Sequence, residues 1–227
     1  MSVVIAIDGT SACGKGTLAR KLARHFGFAH LDSGALYRLV ALRVLTNGGE
    51  PSRAEDAIRA AREIDLDDIN DPRLRSGAAG EAASIVAAIP EVRAAVLQFQ
   101  RDFAANPPGG ARGAVIDGRD IGTIICPGAT AKLFVDARPH VRAERRWLEL
   151  KQQHDTGGPP LPAIAAVEAD LIARDQRDRS RVIAPLRQAE DASLLDTSDL
   201  DIEAAFAKAL ALISNRVEAA LAARHRG

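Results

Sequence analysis

The chain has 227 residues, 47% of them hydrophobic, which is enough for one α/β domain with a substantial core and small attached lobes. Its 30 Lys and Arg balance its 30 Asp and Glu, so bulk charge favours neither nucleic acid nor an anionic membrane surface, and any anion site must be local. Two cysteines, Cys13 and Cys126, are too few for a disulfide framework; with no basic leader and no apolar run of bilayer length, a cytoplasmic protein without membrane or nucleic-acid partners is expected, as a monomer.

Val3 to Asp8 is a short β-branched run that reads as a buried strand. It leads straight into Gly9-Thr10-Ser11-Ala12-Cys13-Gly14-Lys15-Gly16-Thr17. In such a segment glycines let the backbone curl so that successive N–H groups point at a polyphosphate, while Lys15 supplies a mobile cation. A helix expected from Thr17 to Arg24 sets its positive end against the same anion. An ordinary glycine-rich turn would match the bare pattern, but the strand before it and the amphipathic helix after it favour a phosphate loop. Gly16 stands where the common motif offers magnesium a hydroxyl, and Thr17 follows one place later. Cys13 reads as a small packed side chain in preference to an acidified thiol at a helix end.

Farther along, Phe28 to Leu31 reads as a strand, Asp32-Ser33-Gly34 as a turn, and Ala35 to Leu45 as a helix with Leu36, Val40 and Val44 at helical spacing. Pro51 opens a helical stretch through about Ile64, residues 65–77 read as a loop or reduced lobe, and helices follow from Gly80 to Ala88 and from Glu91 to Ala104. Ala114 to Asp117 and Ala131 to Asp136 read as buried strands. Helices from His140 to Gln152 and from Ala163 to Arg181, joined by a flexible tip at 154–160, suit a lid. Ser193 to Asp196 is the last strand, and a helix from Ile202 to about Ala222 carries Phe206, Leu210, Ile213 and Val217 on one side. Strands alternating with helices call for a mostly parallel sheet covered on both faces, with ligands at its carboxyl end.

Two charged segments carry the candidate chemistry. In Asp117-Gly118-Arg119-Asp120, Asp117 stands where phosphate-loop proteins place an acid near the metal or its waters, Arg119 is in reach of a transferring phosphoryl group, and Asp120 is free to accept from a substrate. An exposed type I turn is the alternative. Between Arg174 and Arg181, helical geometry gathers Arg174, Arg177, Asp178 and Arg181 on one stripe, three cations around one carboxylate; a solvated face with pairs such as Asp175 to Arg179 is the alternative. The histidines His25, His30, His140, His154 and His225 share no metal-binding spacing, and Trp147 reads as lid packing.

The segments GTSACGKGT, LDSGALYR, EAASIVAAIPEVR, DGRDIGT and RDQRDRSRVIAPL resemble the bacterial cytidylate kinases over almost the full length. The resemblance implies a P-loop NTPase-type α/β fold with a core at 1–33, 111–140 and 190–227, a monophosphate-binding region at about 34–110 and a lid at about 150–181. It implies transfer of the γ-phosphoryl of ATP to CMP or dCMP in pyrimidine nucleotide metabolism, with Mg2+ held mainly through phosphates and water and no protein residue assigned as a metal ligand. Residues 9–17 look like the ATP-binding loop, Ser33 and Arg38 like contacts to the acceptor phosphate, and Tyr37 lines that pocket. Ser84, Arg93 and Asp120 match residues that read the cytosine edge; Lys15, Arg119, Arg174 and Arg181 match phosphate-binding and catalytic cations, and Asp178 a carboxylate toward the sugar. Because the stretch from Ile64 to Ser84 is short, a small antiparallel sheet of the acceptor lobe is expected to be absent or reduced. A kinase of another monophosphate or small acceptor, and a non-catalytic ATP-binding regulator, are the alternatives.

Overall fold

The computed structural model describes residues 2–63, 69 and 71–224. The N-terminal apolar run forms β1 (Val3–Gly9), the middle strand of a five-stranded sheet in which every pairing is parallel, in the order β2-β3-β1-β4-β5. β2 is Ala29–Asp32, β3 Gly113–Gly118, β4 Ala131–Asp136 and β5 Ser193–Asp196. Parallel neighbours need crossovers, which the helices supply: α1 (Lys15–Phe26), α2 (Ser33–Thr46), α3 (Ala54–Arg62), α4 (Gly77–Val86), α5 (Pro90–Ala105), α6 (Pro139–Asp155), α7 (Ile164–Arg179) and α8 (Ile202–Arg224). β1 has β3 on one side and β4 on the other, so the direction of winding reverses there and a crevice opens at its carboxyl end.

Alternate residues of β1 serve opposite faces. Val3, Ile5 and Ile7 pack with Leu18 and Leu22 of α1 and with Ile213 and Val217 of α8; Val4 and Ala6 join Leu31, Ala104 and Ile116 on the other side. Both faces are dry, which explains the unbroken apolar run. Ile5 and Ile7 are fully buried, each stabilising by about 1.5–3 kcal/mol relative to exposure.

Two smaller cores flank the sheet. α2, α3, α4 and the start of α5 bury Leu36, Val40, Val44, Val86 and Val92 against small alanines. No strand lies between β2 and β3 among the described residues, and Pro72–Arg75 form a 3-10 turn in the stretch read as a loop; the expected helix end at Ile64, residues 65–68 and 70 of that loop, and His225 fall outside the described residues. α6 and α7 form a hairpin around Ala143, Val167 and Leu171, with Trp147 packed on it and donating from Nε1 to the Pro162 carbonyl at 3.0 Å.

Several boundaries differ from the expectation from sequence: α1 and α2 start two residues early, at Lys15 and Ser33, and α6 runs to Asp155, into the expected tip; for three others the local reason is plain. α3 starts at Ala54, not Pro51, because Pro51 and Ser52 belong to a turn closed by Arg53 N–H to the Glu50 carbonyl at 2.9 Å. α4 starts at Gly77, not Gly80, because Ser76 Oγ accepts the Ala79 N–H at 3.2 Å and caps it. α7 stops at Arg179, not Arg181: Leu186 N–H bonds the Asp178 carbonyl at 2.9 Å and the chain folds back to bury Ala184 and Leu186. No single helix among the described residues is long and apolar enough to cross a membrane.

Candidate active site

At the end of β1 the chain passes so close to β4 that a Cβ on Gly9 would lie 2.0 Å from the Val135 carbonyl oxygen; only glycine fits. Ala12 (φ 58°) and Gly14 (φ 87°) then take left-handed conformations, which turn peptide N–H groups toward a common centre and make an anion nest. Gly14 caps α1 without a side chain, leaving the first N–H groups of the helix for a ligand. Lys15 Nζ rests on the Thr10 carbonyl at 3.0 Å, and burial, with repulsion from Arg119, holds its pKa below the ordinary lysine value. It is a cation short of anionic partners.

The loop forms one wall of a cleft of about 900 Å³. Eight Lys and Arg side chains and five carboxylates line it, a local positive excess in a chain that is neutral as a whole. Asp178 of α7 is held by Arg119 Nε at 2.8 Å, by the Arg181 guanidinium and by Ser84 Oγ at 3.3 Å. Burial alone would raise this carboxyl, but the two arginines outweigh it and hold Asp178 below the usual range. Burial likewise opposes the charge on Arg119, yet Asp178 holds that guanidinium above its usual pKa.

On the acceptor side, Arg93 pairs with Asp120 and stands over the Tyr37 ring, 5.6 Å from its centroid. Burial raises the Asp120 carboxyl in spite of that partner. Arg38 pairs with Asp32, which also caps α2 by accepting the Ala35 N–H at 3.1 Å. Arg174 differs from all of these. Among the described residues it has no carboxylate at ion-pair distance, its Nε is buried without a partner, and burial followed by the charge of Arg119 lowers its pKa to about 10.

A sequence profile described as cytidylate kinase matches residues 5–215. This chain belongs to the cytidylate kinase family. A protein named cytidylate kinase from Paramagnetospirillum magneticum is 52% identical over 217 residues, covering 95% of this chain and 100% of that one. Its namesakes from Rhodopseudomonas palustris and Bradyrhizobium diazoefficiens are 51% and 49% identical, each across 99% of this chain and 100% of their own length. Among solved structures, an uncharacterized protein from Eubacterium ventriosum superposes with a TM-score of 0.54 at 13% identity, covering 93% of this chain and 98% of that one, a likeness of fold alone.

In this cytidylate kinase family member the cleft brings together Ser11, Ala12, Gly14, Lys15, Gly16 and Thr17 of the loop with Ser33, Tyr37, Arg38, Ser84, Arg93, Arg119, Asp120, Arg174, Asp178 and Arg181. Three residues of the expected ATP loop do not line it. Gly9 serves the close approach to β4, Thr10 Oγ1 donates to Asp136 at 2.6 Å, and the Cys13 side chain is buried in the core beneath, where a small packed residue was expected. Asp120 is not free, as the sequence led one to expect, but held by Arg93. The stripe of three cations around Asp178 is also corrected: its partners are Arg119 and Arg181, the latter beyond the helix end, while Arg177 stays off the cleft.

Some residues of the site had no motif to give them away. Gln100 is fully buried on α5 and donates from Nε2 to Ser33 Oγ at 2.7 Å. His30, read from sequence only as lacking metal spacing, sits with Nε2 2.8 Å from Asp117 Oδ1. Asp8 accepts the N–H groups of Ile121 and Gly122, each at 2.8 Å, and so anchors the wide π-type turn Ile121–Ile125 that follows Arg119 and Asp120; burial pushes its carboxyl up to about 7. Asp175 turns inward to Arg142 and the Ser11 N–H, not outward to Arg179.

Proposed function

We propose that this chain transfers the γ-phosphoryl group of ATP to CMP and dCMP, giving ADP with CDP or dCDP. The observation that carries the reading is the meeting, in one cleft, of an anion nest with the Arg93–Asp120 and Ser84–Asp178 polar sets, and with the unpaired Arg174. Family membership over 5–215 and relatives of about half-identical sequence named cytidylate kinase support the same acceptor.

On this reading the loop N–H groups and Lys15 hold the ATP phosphates, and Ser33 and Arg38 hold the acceptor phosphate. Arg93, Asp120 and Ser84 present donors and an acceptor that complement the cytosine edge, since a carboxylate takes the exocyclic amino group while a guanidinium or hydroxyl donates to the ring nitrogen and carbonyl. An oxygen of the acceptor phosphate attacks the γ-phosphorus and the bond to the β-phosphate oxygen breaks, with ADP leaving. The attacking oxygen is already an anion, so no strong base is needed; alignment and charge neutralisation by Lys15, Arg119, Arg174 and Arg181 supply the catalysis. The lid from about 150 to 181 and the acceptor region at about 34–110 close over the nucleotides and exclude water.

The residues present fit a magnesium ion held chiefly by its ligands' own oxygens. Asp117 Oδ2 lies 3.7 Å from where a side chain on Gly16 would begin, and no group of three His, Cys, Asp or Glu gathers among the described residues. One carboxylate beside phosphate oxygens and water suits Mg2+, which keeps much of its hydration. When bound it would neutralise charge on the β- and γ-phosphate oxygens. Soluble nucleotide substrates support a cytoplasmic location.

Release of ADP, followed by a coupled assay across CMP, dCMP, UMP, AMP and GMP, tests the assignment. Turnover with CMP and dCMP well above the other three is expected. Turnover only with AMP, or with none of the five, overturns it.

A further inference from the structure

Ser11 is counted with the phosphate loop, yet both of its backbone polar groups are engaged by the protein and only its hydroxyl proton is left for a phosphate. Its N–H donates to Asp175 Oδ1 at 2.9 Å, its carbonyl accepts Arg142 Nη1 at 3.0 Å, and its Oγ accepts Arg119 Nη2 at 3.0 Å. The residue is buried and three separate segments converge on it: α7, α6 and the turn after β3. A carboxylate is the group that can accept a backbone N–H with one oxygen and a guanidinium with the other, and Asp175 does both, its second oxygen holding Arg142. Arg142 completes its own geometry by donating from Nε to the Ala137 carbonyl at 2.9 Å, at the point where β4 passes into α6.

The contacts close into a ring. From Ser11 Oγ the path runs through Arg119 to Asp178, back along one turn of α7 to Asp175, and returns to the Ser11 N–H. Arg174 is the immediate neighbour of Asp175 on that helix, so whatever fixes Asp175 fixes where Arg174 starts. α6 is braced on the loop a second time, by Arg145 bonding Thr197 Oγ1 at 3.0 Å, which in turn donates to the Cys13 carbonyl at 3.1 Å. α7 has a bridged link of the same kind, from Asp178 through Arg119 to Ser11 Oγ, and Ala12 packs against its Val167 and Leu171. Asp175 makes its only direct hydrogen bond to the loop among the described residues.

We propose that Ser11, Asp175 and Arg142 form a junction that keeps the phosphate-binding arginines Arg119 and Arg174 in register with the phosphate loop, with Asp175 and Arg142 as positioning residues for phosphoryl transfer. Asp175 and Arg142 line no part of the cleft and act through the arginines, while Ser11 stands in the cleft wall. Charge on the transferring group develops in the transition state, so an arginine displaced from its register harms turnover more than ground-state binding. The inference rests on the proposed kinase reading, but one of its measurements does not need turnover.

The test uses the full chain with Ser11→Ala, Asp175→Asn and the two combined. Asp175→Asn keeps an oxygen for the Ser11 N–H and loses the charge that holds Arg142; Ser11→Ala frees Arg119 and leaves the backbone bonds in place. Each single variant is expected to lower kcat for CMP by about 10- to 100-fold, the range of a lost hydrogen bond to a charged group, with Kd for ATP by calorimetry within about threefold of wild type. Because both act through one junction, the double variant should lose much less than the product of the two. Amide exchange across α7 supplies the second readout: ATP slows it in the wild type and fails to do so in Asp175→Asn. Loss of ATP affinity equal to the loss of kcat, multiplicative effects in the double variant, or ATP slowing exchange equally in both proteins overturns the junction. Should Asp175→Asn fail to fold, Ser11→Ala carries the kinetic test alone, with normal turnover as the overturning result. A wild type inactive toward all five monophosphates sinks the kinase reading, while the exchange comparison still decides the junction.

Discussion

The two walls of the cleft present positive charge by different means. The donor wall comes from a single stretch, residues 11–17, in which main-chain N–H groups and one lysine face the cleft and the geometry is set by left-handed Ala12 and Gly14. The acceptor wall is assembled from side chains on α2, α4, α5, the turn after β3 and the end of α7, and most of its cations are already held by carboxylates: Arg38 by Asp32, Arg93 by Asp120, Arg119 and Arg181 by Asp178. A backbone nest is preorganised by its own covalent geometry, whereas a set of long side chains needs partners to fix its rotamers before a ligand arrives. The carboxylates that dilute the positive charge therefore also aim it.

Arg174 and Arg119 sharpen that contrast, because one is unpaired and the other paired. Arg119→Ala and Arg174→Ala should each lower turnover by about 10³-fold or more while ATP still binds, as transition-state arginines commonly do. Stability should separate them. Arg119→Ala leaves a buried carboxylate and the Ser11 hydroxyl short of a partner and should destabilise by about 3 kcal/mol, read by urea unfolding. Arg174→Ala removes a buried cation that, among the described residues, no carboxylate holds at ion-pair distance, and unfolding should be unchanged or shifted toward greater stability. Equal destabilisation of both variants would break the comparison.

Gln100 probes how a neutral partner aims a hydroxyl. By donating to Ser33 Oγ, the amide leaves the Ser33 proton free to donate to the acceptor phosphate. Gln100→Glu reverses the direction of that bond and adds a negative charge, so KM for CMP should rise about 10- to 30-fold while Kd for ATP stays level, a loss of about 1.4–2 kcal/mol on the acceptor side alone. An unchanged KM counts against Ser33 as a phosphate donor.

The remaining prediction concerns Asp8, beneath both walls. Its folded pKa of about 7 lies well above the ordinary aspartate value of 3.8 because burial disfavours the charged form. Below about pH 4 both states are protonated and the group contributes nothing. Between about 4 and 7 the unfolded chain releases a proton that the folded chain keeps, so stability falls as pH rises, by at most about 1.4 kcal/mol per unit, and levels off above 7. Urea unfolding at several pH values should show a flatter profile for Asp8→Asn than for the wild type across that window.

The donor wall is legible in the amino-acid sequence alone, because a strand, a glycine-bearing loop and a helix start within twenty consecutive residues state their own geometry. The acceptor residues are legible only through family segments, and their partners are not. Nothing in the spacing from Asp120 to Arg93 or from Ser33 to Gln100 announces a hydrogen bond across 27 or 67 positions. Charged side chains mislead in the same way: Asp175 has Arg179 four places on, the ordinary exposed pair, yet burial and two donors from distant segments win it.

Local chemistry thus determined the parallel sheet, its order of helices, the phosphate loop and the belonging of this chain to its family, since apolar periodicity and backbone conformation depend on near neighbours. Which carboxylate holds which arginine, that Asp120 is already engaged, that Arg174 has no carboxylate at ion-pair distance among the described residues, and that Ser11 faces the lid were decided by tertiary packing. Ion-pair choice depends on distance and desolvation, and these exist only once segments far apart in the chain have been brought together.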